Sequence, residues 1–163
     1  MASSVAEDTP SAEDSAVVLA AVDTSTLASK VVEYAARLVR RTWSNSQLHV
    51  LHVYRAGRFD RPARAGIDVN ELVEEARLHL DHHVRMARRQ CSAPVTGHFA
   101  QGDPIDEVVK LARSLSADLV VVGTDDAIGL QRFLLGSVAT KVAKTAPCPV
   151  LIVRQKQRAY TKL

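Results

Sequence analysis

Three places along the 163 residues carry side chains or backbone able to bind a charged small molecule. The first is Asp23, within Ala21-Val22-Asp23-Thr24-Ser25, directly after a run of apolar residues. A carboxylate there can accept hydrogen bonds from an adenine amino group or a ribose hydroxyl. It can equally favour the start of a following helix by charge alone, and composition by itself favours that plainer role. The second is Gly123, where the apolar run Leu119–Val122 gives way to a long polar and glycine-containing connection; the glycine is expected to let the backbone turn off the strand. The third is Gly136-Ser137, ahead of a helical pattern carrying Val138, Val142 and Ala146. Free amides and a hydroxyl at a helix start suit phosphate. A simple glycine bend with a serine cap would look the same.

Other chemistry is poorly served. His79 and His83 are spaced i, i+4 on one helical stretch beside His82, a metal-compatible spacing, but no third ligand stands at a fixed distance. His83 falls within the apolar face and His79 at its edge, so structural histidines are expected and no metal site. His49 and His52, three apart in a strand, should point to opposite faces, and His98 reads as solitary. No nucleophile elbow, Walker lysine or zincin pattern occurs, so no catalytic residue is assigned and the chain reads as a binding module rather than an enzyme.

Strands and helices must position these groups, and they alternate. Ala16–Val22 is a continuous apolar run, as expected of a strand buried on both faces. Leu27, Val31, Ala35 and Leu38 then share a helical face, with Ser25 or Thr26 as cap. Gln47–Tyr54 reads as the second strand and Arg55–Ile67 as a loop. Asp68 opens a helix, with Glu71 three residues on as in a capping box; Val69, Leu72, Ala76, Leu80 and Ala87 line its apolar face. Val95–Ala100 is the third strand, Asp103-Pro104 starts a helix with a stripe of Ile105, Val108, Val109 and Ala112, and Leu119–Val122 is the fourth strand. Ser137 caps the last helix, Pro147 ends it, and Val150–Val153 is the fifth strand. Such alternation implies right-handed crossovers and a doubly wound, three-layer α/β/α sandwich on a five-stranded parallel sheet. Ligands in these sheets sit beyond the carboxyl ends of strands where the order reverses, which selects the segments after Val22 and after Val122.

Length and composition set the outer limits. The chain suits one domain, and with 4% aromatic residues its core must be aliphatic. A net charge of +3 is too small to argue for nucleic acid without a focused basic face, and helix-end solvation accounts for Arg85, Arg88 and Arg89. No apolar run approaches the ~20 residues needed to span a bilayer. Cys91 and Cys148 form no disulfide framework, and free thiols suit a reducing compartment, so a cytoplasmic location is expected. Residues 1–15 read as an acidic disordered leader, 16–154 as the folded domain and 155–163 as a basic tail.

From Ala16 to Arg154 the chain resembles the universal stress protein family. The segments AVVLAAVDTS, LHVLHV, HFAQGDPIDEVVKLA, DLVVVGT and RFLLGSVATKVAKTAPCPVLIV carry the likeness in order and spacing. The resemblance implies a Rossmann-like sheet of the adenine nucleotide alpha hydrolase type, with strand order 3-2-1-4-5. In nucleotide-binding members the pattern is glycine, two residues, glycine, nine residues, glycine, then Ser or Thr. On this chain those positions are Gly123, Asp126, Gly136 and Ser137, so the spacing is kept and the second glycine is lost. The resemblance further implies adenine or ribose contacts from Ala21, Asp23, Val53 and Val122, and phosphate contacts from Gly123, Gly136, Ser137 and the Val138 amide. ATP or AMP is the expected ligand, with Mg²⁺ if a triphosphate is bound. Asp126, beside Asp125, adds a Cβ and a charge where phosphates would lie. Arg132 is a basic residue that offsets that charge. A homodimer through Val150, Leu151, Ile152 and Val153 is also implied, since an exposed edge strand invites a second copy. Two other readings stay open: a family member without nucleotide that works through protein contacts, and a slow ATPase or nucleotidyl transferase.

Overall fold

The computed structural model describes residues 15–42, 45–55, 68–124 and 137–154. The expected leader and tail, most of the loop after Arg55, and the segment 125–136 lie outside them.

Nine elements follow one another: β1 (Val17–Val22), α1 (Ala28–Thr42), β2 (Gln47–Tyr54), α2 (Val69–Gln90), β3 (Val95–Gln101), α3 (Pro104–Ser114), β4 (Leu119–Thr124), α4 (Ser137–Thr145) and β5 (Val150–Arg154). All strand pairs are parallel, in the order β3-β2-β1-β4-β5. The fold class and strand order expected from the sequence are therefore found. β1 and β4 are central, and their apolar runs are buried on both faces: Val18, Leu19 and Ala20 are fully buried, as are Val120 and Val121.

Alternation sorts the strand side chains into two cores. Val18, Ala20, Val22, Leu48, Val50, Val121 and Val153 pack under α1 and α2. Leu19, Leu51, Val120 and Val122 pack under α3 and α4, against Val108, Ala112, Ala139 and Val142. α1 meets the sheet through Ala28, Val31, Val32, Ala35, Ala36 and Val39. The small alanines bring its axis close, and Leu38, expected in this stripe, is only half-buried. In α2 the buried face is Ala76, Leu80, His83, Val84 and Ala87; Val69, expected on it, is the first residue of the helix and is exposed. In α3, Val108 and Ala112 are buried, while Ile105 and Val109 are half-buried.

Helix starts follow their caps. Asp68 accepts the Asn70 amide at 2.9 Å, rather than the third amide that a capping box would use. Asp103 accepts the Ile105 amide at 2.9 Å, with Pro104 at the first helical position. α1 begins later than Ser25 or Thr26 would set it: Asp23 Oδ1 takes the Ser25 amide at 2.9 Å, Ser25 carbonyl takes the Ala28 amide, and the regular helix runs from Ala28. Ser137, expected as the cap, is itself the first residue of α4.

Candidate functional site

β1 leads left to β2 and β3, and β4 leads right to β5, so the strand order reverses between β1 and β4. These two strands are in register, with Ala21 opposite Val122. Their carboxyl ends place Asp23 next to the end of β4, and the two helices leaving them, α1 and α4, lie on opposite faces of the sheet. In doubly wound sheets ligands occupy the crevice between helices that diverge in this way, beyond the carboxyl ends of the strands.

Its apolar floor comes from one face. Ala21, Val53 and Val122 all belong to the core layer under α3 and α4; Val122 is buried and the other two are half-buried. Val138 joins the same layer from α4. Asp23 is exposed at the rim and Ser137 is exposed at the start of α4. The first amides of a helix lack intrahelical partners and aim outward, so this end of α4 suits a negative charge. Asp126 and Gly136, the other two expected contacts, lie outside the described residues, as do Asp125 and Arg132.

Gly123 departs from its expected role. It is a member of β4, paired with Val153, and does not turn off the strand. A Cβ on it would meet Leu27 Cδ2 at 3.0 Å and Val31 Cγ2 at 3.1 Å. The glycine thus lets the first turn of α1 close on the end of β4.

Two features near the strand ends were not visible beforehand. Arg55, the residue after β2, pairs with the Asp103 carboxylate at the start of α3. The Arg55 hydrogen bond, then the Ile105 amide, hold that carboxyl below its usual range. Gly102 precedes it at φ 156°, with its amide donating to Tyr54 carbonyl at 3.0 Å, so the β3–α3 turn is tied back to the end of β2. Secondly, His98 is not solitary. Its Nε2 lies 2.9 Å from His49 Nδ1, because the register sets His49 opposite Thr96 and brings the two rings onto one face. Burial lowers both pKa values, and for His49 the His98 ring adds to it. Only the β2–β3 register, which a single sequence does not carry, could have predicted that pair. His52 does point to the opposite face, as expected, and stacks with Phe99 at 6.0 Å.

Among the described residues no group of three or more metal-ligating side chains comes together, and no helix is long and apolar enough to cross a membrane. Cys91 and Cys148 are free thiols, both shifted upward by burial. Two hollows lie away from the crevice, one between Val39, Ser46 and Pro94 at the amino ends of the strands, the other along α3 beside Ile105 and Val109.

Comparison with known proteins agrees with this architecture. The Universal stress protein family model matches residues 16–154. A universal stress protein of Methanocaldococcus jannaschii is 36% identical over 90 residues, a match that spans about half of each chain, 55% of this one and 53% of that protein. One from Bacillus subtilis is 27% identical over 146 residues, covering 84% of this chain and 97% of its own. The solved structure of the universal stress protein from Archaeoglobus fulgidus in complex with dAMP superposes with a TM-score of 0.62 at 28% identity, covering 84% of this chain and 95% of that one. By the family match over most of its length, this chain belongs to the universal stress protein family.

Proposed function

We propose that the protein binds an adenine nucleotide in the crevice between the carboxyl ends of β1 and β4 and acts as a stress-response module through occupancy of that site. The observation that carries this reading is the convergence of Asp23, the apolar floor of Ala21, Val53 and Val122, and the start of α4 at Ser137 and Val138 on the switch point of the sheet. An adenine fits an apolar floor with one carboxylate at its edge, and phosphates fit a helix start. Gly123 and Gly136 would flank the phosphates, and Asp126 would approach them. The dAMP complex of the Archaeoglobus fulgidus relative supports an adenine nucleotide as the ligand class. Where a triphosphate binds, Mg²⁺ between its oxygens and the acidic pair Asp125 and Asp126 would relieve their repulsion. Two copies joined along β5, at the open edge of the sheet, and a cytoplasmic location complete the reading.

Asp126 favours a second reading, a nucleotide-free module that works through protein contacts. Denaturing the purified protein and assaying released nucleotide, then titrating ATP with Mg²⁺ by calorimetry, separates the two. Released nucleotide or measurable heat supports binding; neither, at millimolar ATP, leaves the protein-contact reading. Sustained phosphate release under turnover would instead establish a slow ATPase. Light scattering reports the dimer.

A further inference from the structure

His52 on β2 and His83 on α2 are each 4% exposed; the buried Nδ1 of His52 has no hydrogen-bond partner among the described residues, and the His83 ring has only a weak contact with the His79 carbonyl one turn back. A buried polar atom left unpaired costs free energy, and one in a packed interface calls for an explanation. The surroundings supply it. Phe99 on β3 stacks with the His52 ring at 16° between planes, and the Arg77 guanidinium of α2 sits 4.3 Å from the Phe99 centroid. His82 meets the His83 ring edge-on at 5.5 Å. His79, one turn before His83, lies half-exposed with Nε2 3.8 Å from the Glu75 carboxylate. The charged or titratable groups acting on His52 are Asp23, from the end of β1, and His79, from α2. Those acting on His83 are His82, His79 and His52.

Imidazoles so placed are compatible with the packed interface only while neutral. One proton puts a charge into an apolar layer; a second puts a like charge into the same layer. Asp23, at the rim of the crevice, directly follows Val22, which pairs with His52 in the β1–β2 register, so its carboxylate acts on that ring from the end of the neighbouring strand. We propose that His52 and His83 form a proton-sensitive contact between α2 and the sheet, through which acidification withdraws Asp23 from the crevice and lowers its affinity for nucleotide. The α2 contact stands on the histidines alone; its effect on affinity rests on the nucleotide-binding reading above.

Two measurements on the full chain test it. In ligand-free protein, imidazole nitrogens and α2 amide exchange are followed by NMR from about pH 8 to about pH 5. His52 and His83 are expected to stay neutral below the ordinary histidine range, then to titrate together as exchange in α2 quickens. Titration at ordinary values, or unchanged α2 exchange, overturns the contact. Affinity for ATP is then measured by calorimetry over the same range in the wild type and in His52→Phe, which keeps a ring against Phe99 and removes the titrating nitrogens. The wild type is expected to lose up to about tenfold per pH unit for each coupled proton. The variant should lose less, a comparison that removes the protonation of the ligand itself. Equal pH dependence in both overturns the coupling. If His52→Phe does not fold, His83→Leu takes its place. If ATP binds to neither protein at any pH, the nucleotide reading and the coupling fail together, while the NMR arm still decides the α2 contact.

Discussion

Gly123 of β4 lies directly beneath Leu27, so close that a Cβ on the glycine would stand 3.0 Å from Leu27 Cδ2. Leu27 is fully buried and leads into α1, and Val31 crowds the same point at 3.1 Å. Neither neighbour has room to retreat, because α1 is already seated on the sheet through alanines. Gly123→Ala is therefore expected to destabilise by about 1–3 kcal/mol through overpacking. For a chain of this size that corresponds to a melting temperature lower by roughly 2–12 °C. Thermal unfolding by circular dichroism checks it; an unchanged melting temperature would show that α1 can shift. Nucleotide affinity in the same variant should also fall, because moving the first turn of α1 moves Asp23.

Acid should loosen the fold through histidine. His49, His52, His83 and His98 all have folded pKa values below the ordinary 6.5, with burial the leading cause of each. Above that value folded and unfolded chains both hold these imidazoles neutral, so they add no pH dependence. Below it the unfolded chain binds protons that the folded chain refuses, and stability falls with pH until the folded values are reached. Urea midpoints are expected to drop between about pH 7.5 and about pH 5.5, before the carboxylates titrate. Replacing His52 by Phe should flatten part of that slope. A flat midpoint across the window in the wild type would mean that these rings take up protons in place.

Asp103 does two jobs, and its loss should exceed that of its partner. Its carboxylate caps α3 and pairs with Arg55, which ties the end of β2 to the start of α3. Asp103→Ala should cost about 1 kcal/mol for the cap alone. Arg55→Ala removes only a half-exposed ion pair, typically worth under about 1 kcal/mol. The lowered carboxyl pKa adds a pH signature: its stabilisation is present above the unfolded value of 3.8 and is lost as pH falls through the folded value. Chemical unfolding of both variants at neutral pH tests the order; equal losses would assign the whole effect to the ion pair.

Much of this was legible in the chain itself. The apolar runs Ala16–Val22 and Leu119–Val122 announce central strands because a strand covered on both faces needs no polar side, and Asp103-Pro104 fixes a helix start by local chemistry. Asp23 and Ser137 could be placed at strand and helix ends for the same reason. What escaped depends on register or on packing across elements. The His49–His98 pair exists only through the alignment of β2 with β3, and Gly123 looked like a turn residue because its real neighbour, Leu27, is 96 positions away in sequence.

Asp126 is where the nucleotide reading is most exposed to refutation. By spacing from Gly123 and Gly136 it occupies the position at which nucleotide-binding relatives would place glycine, beside a second acid, Asp125. A carboxylate about 4 Å from a phosphate charge repels it by about 1 kcal/mol even in water. That alone weakens binding about fivefold, and the added Cβ works in the same direction. Asp126→Gly is therefore expected to raise ATP affinity by at least about fivefold, measured by calorimetry at matched Mg²⁺. AMP, with fewer charges near that position, should gain less, and raised ionic strength should narrow the gap between variant and wild type. If the variant binds ATP no better, the charge and Cβ at Asp126 are not what governs the site. Thr24, the residue after Asp23 at the end of β1, becomes the next position to change.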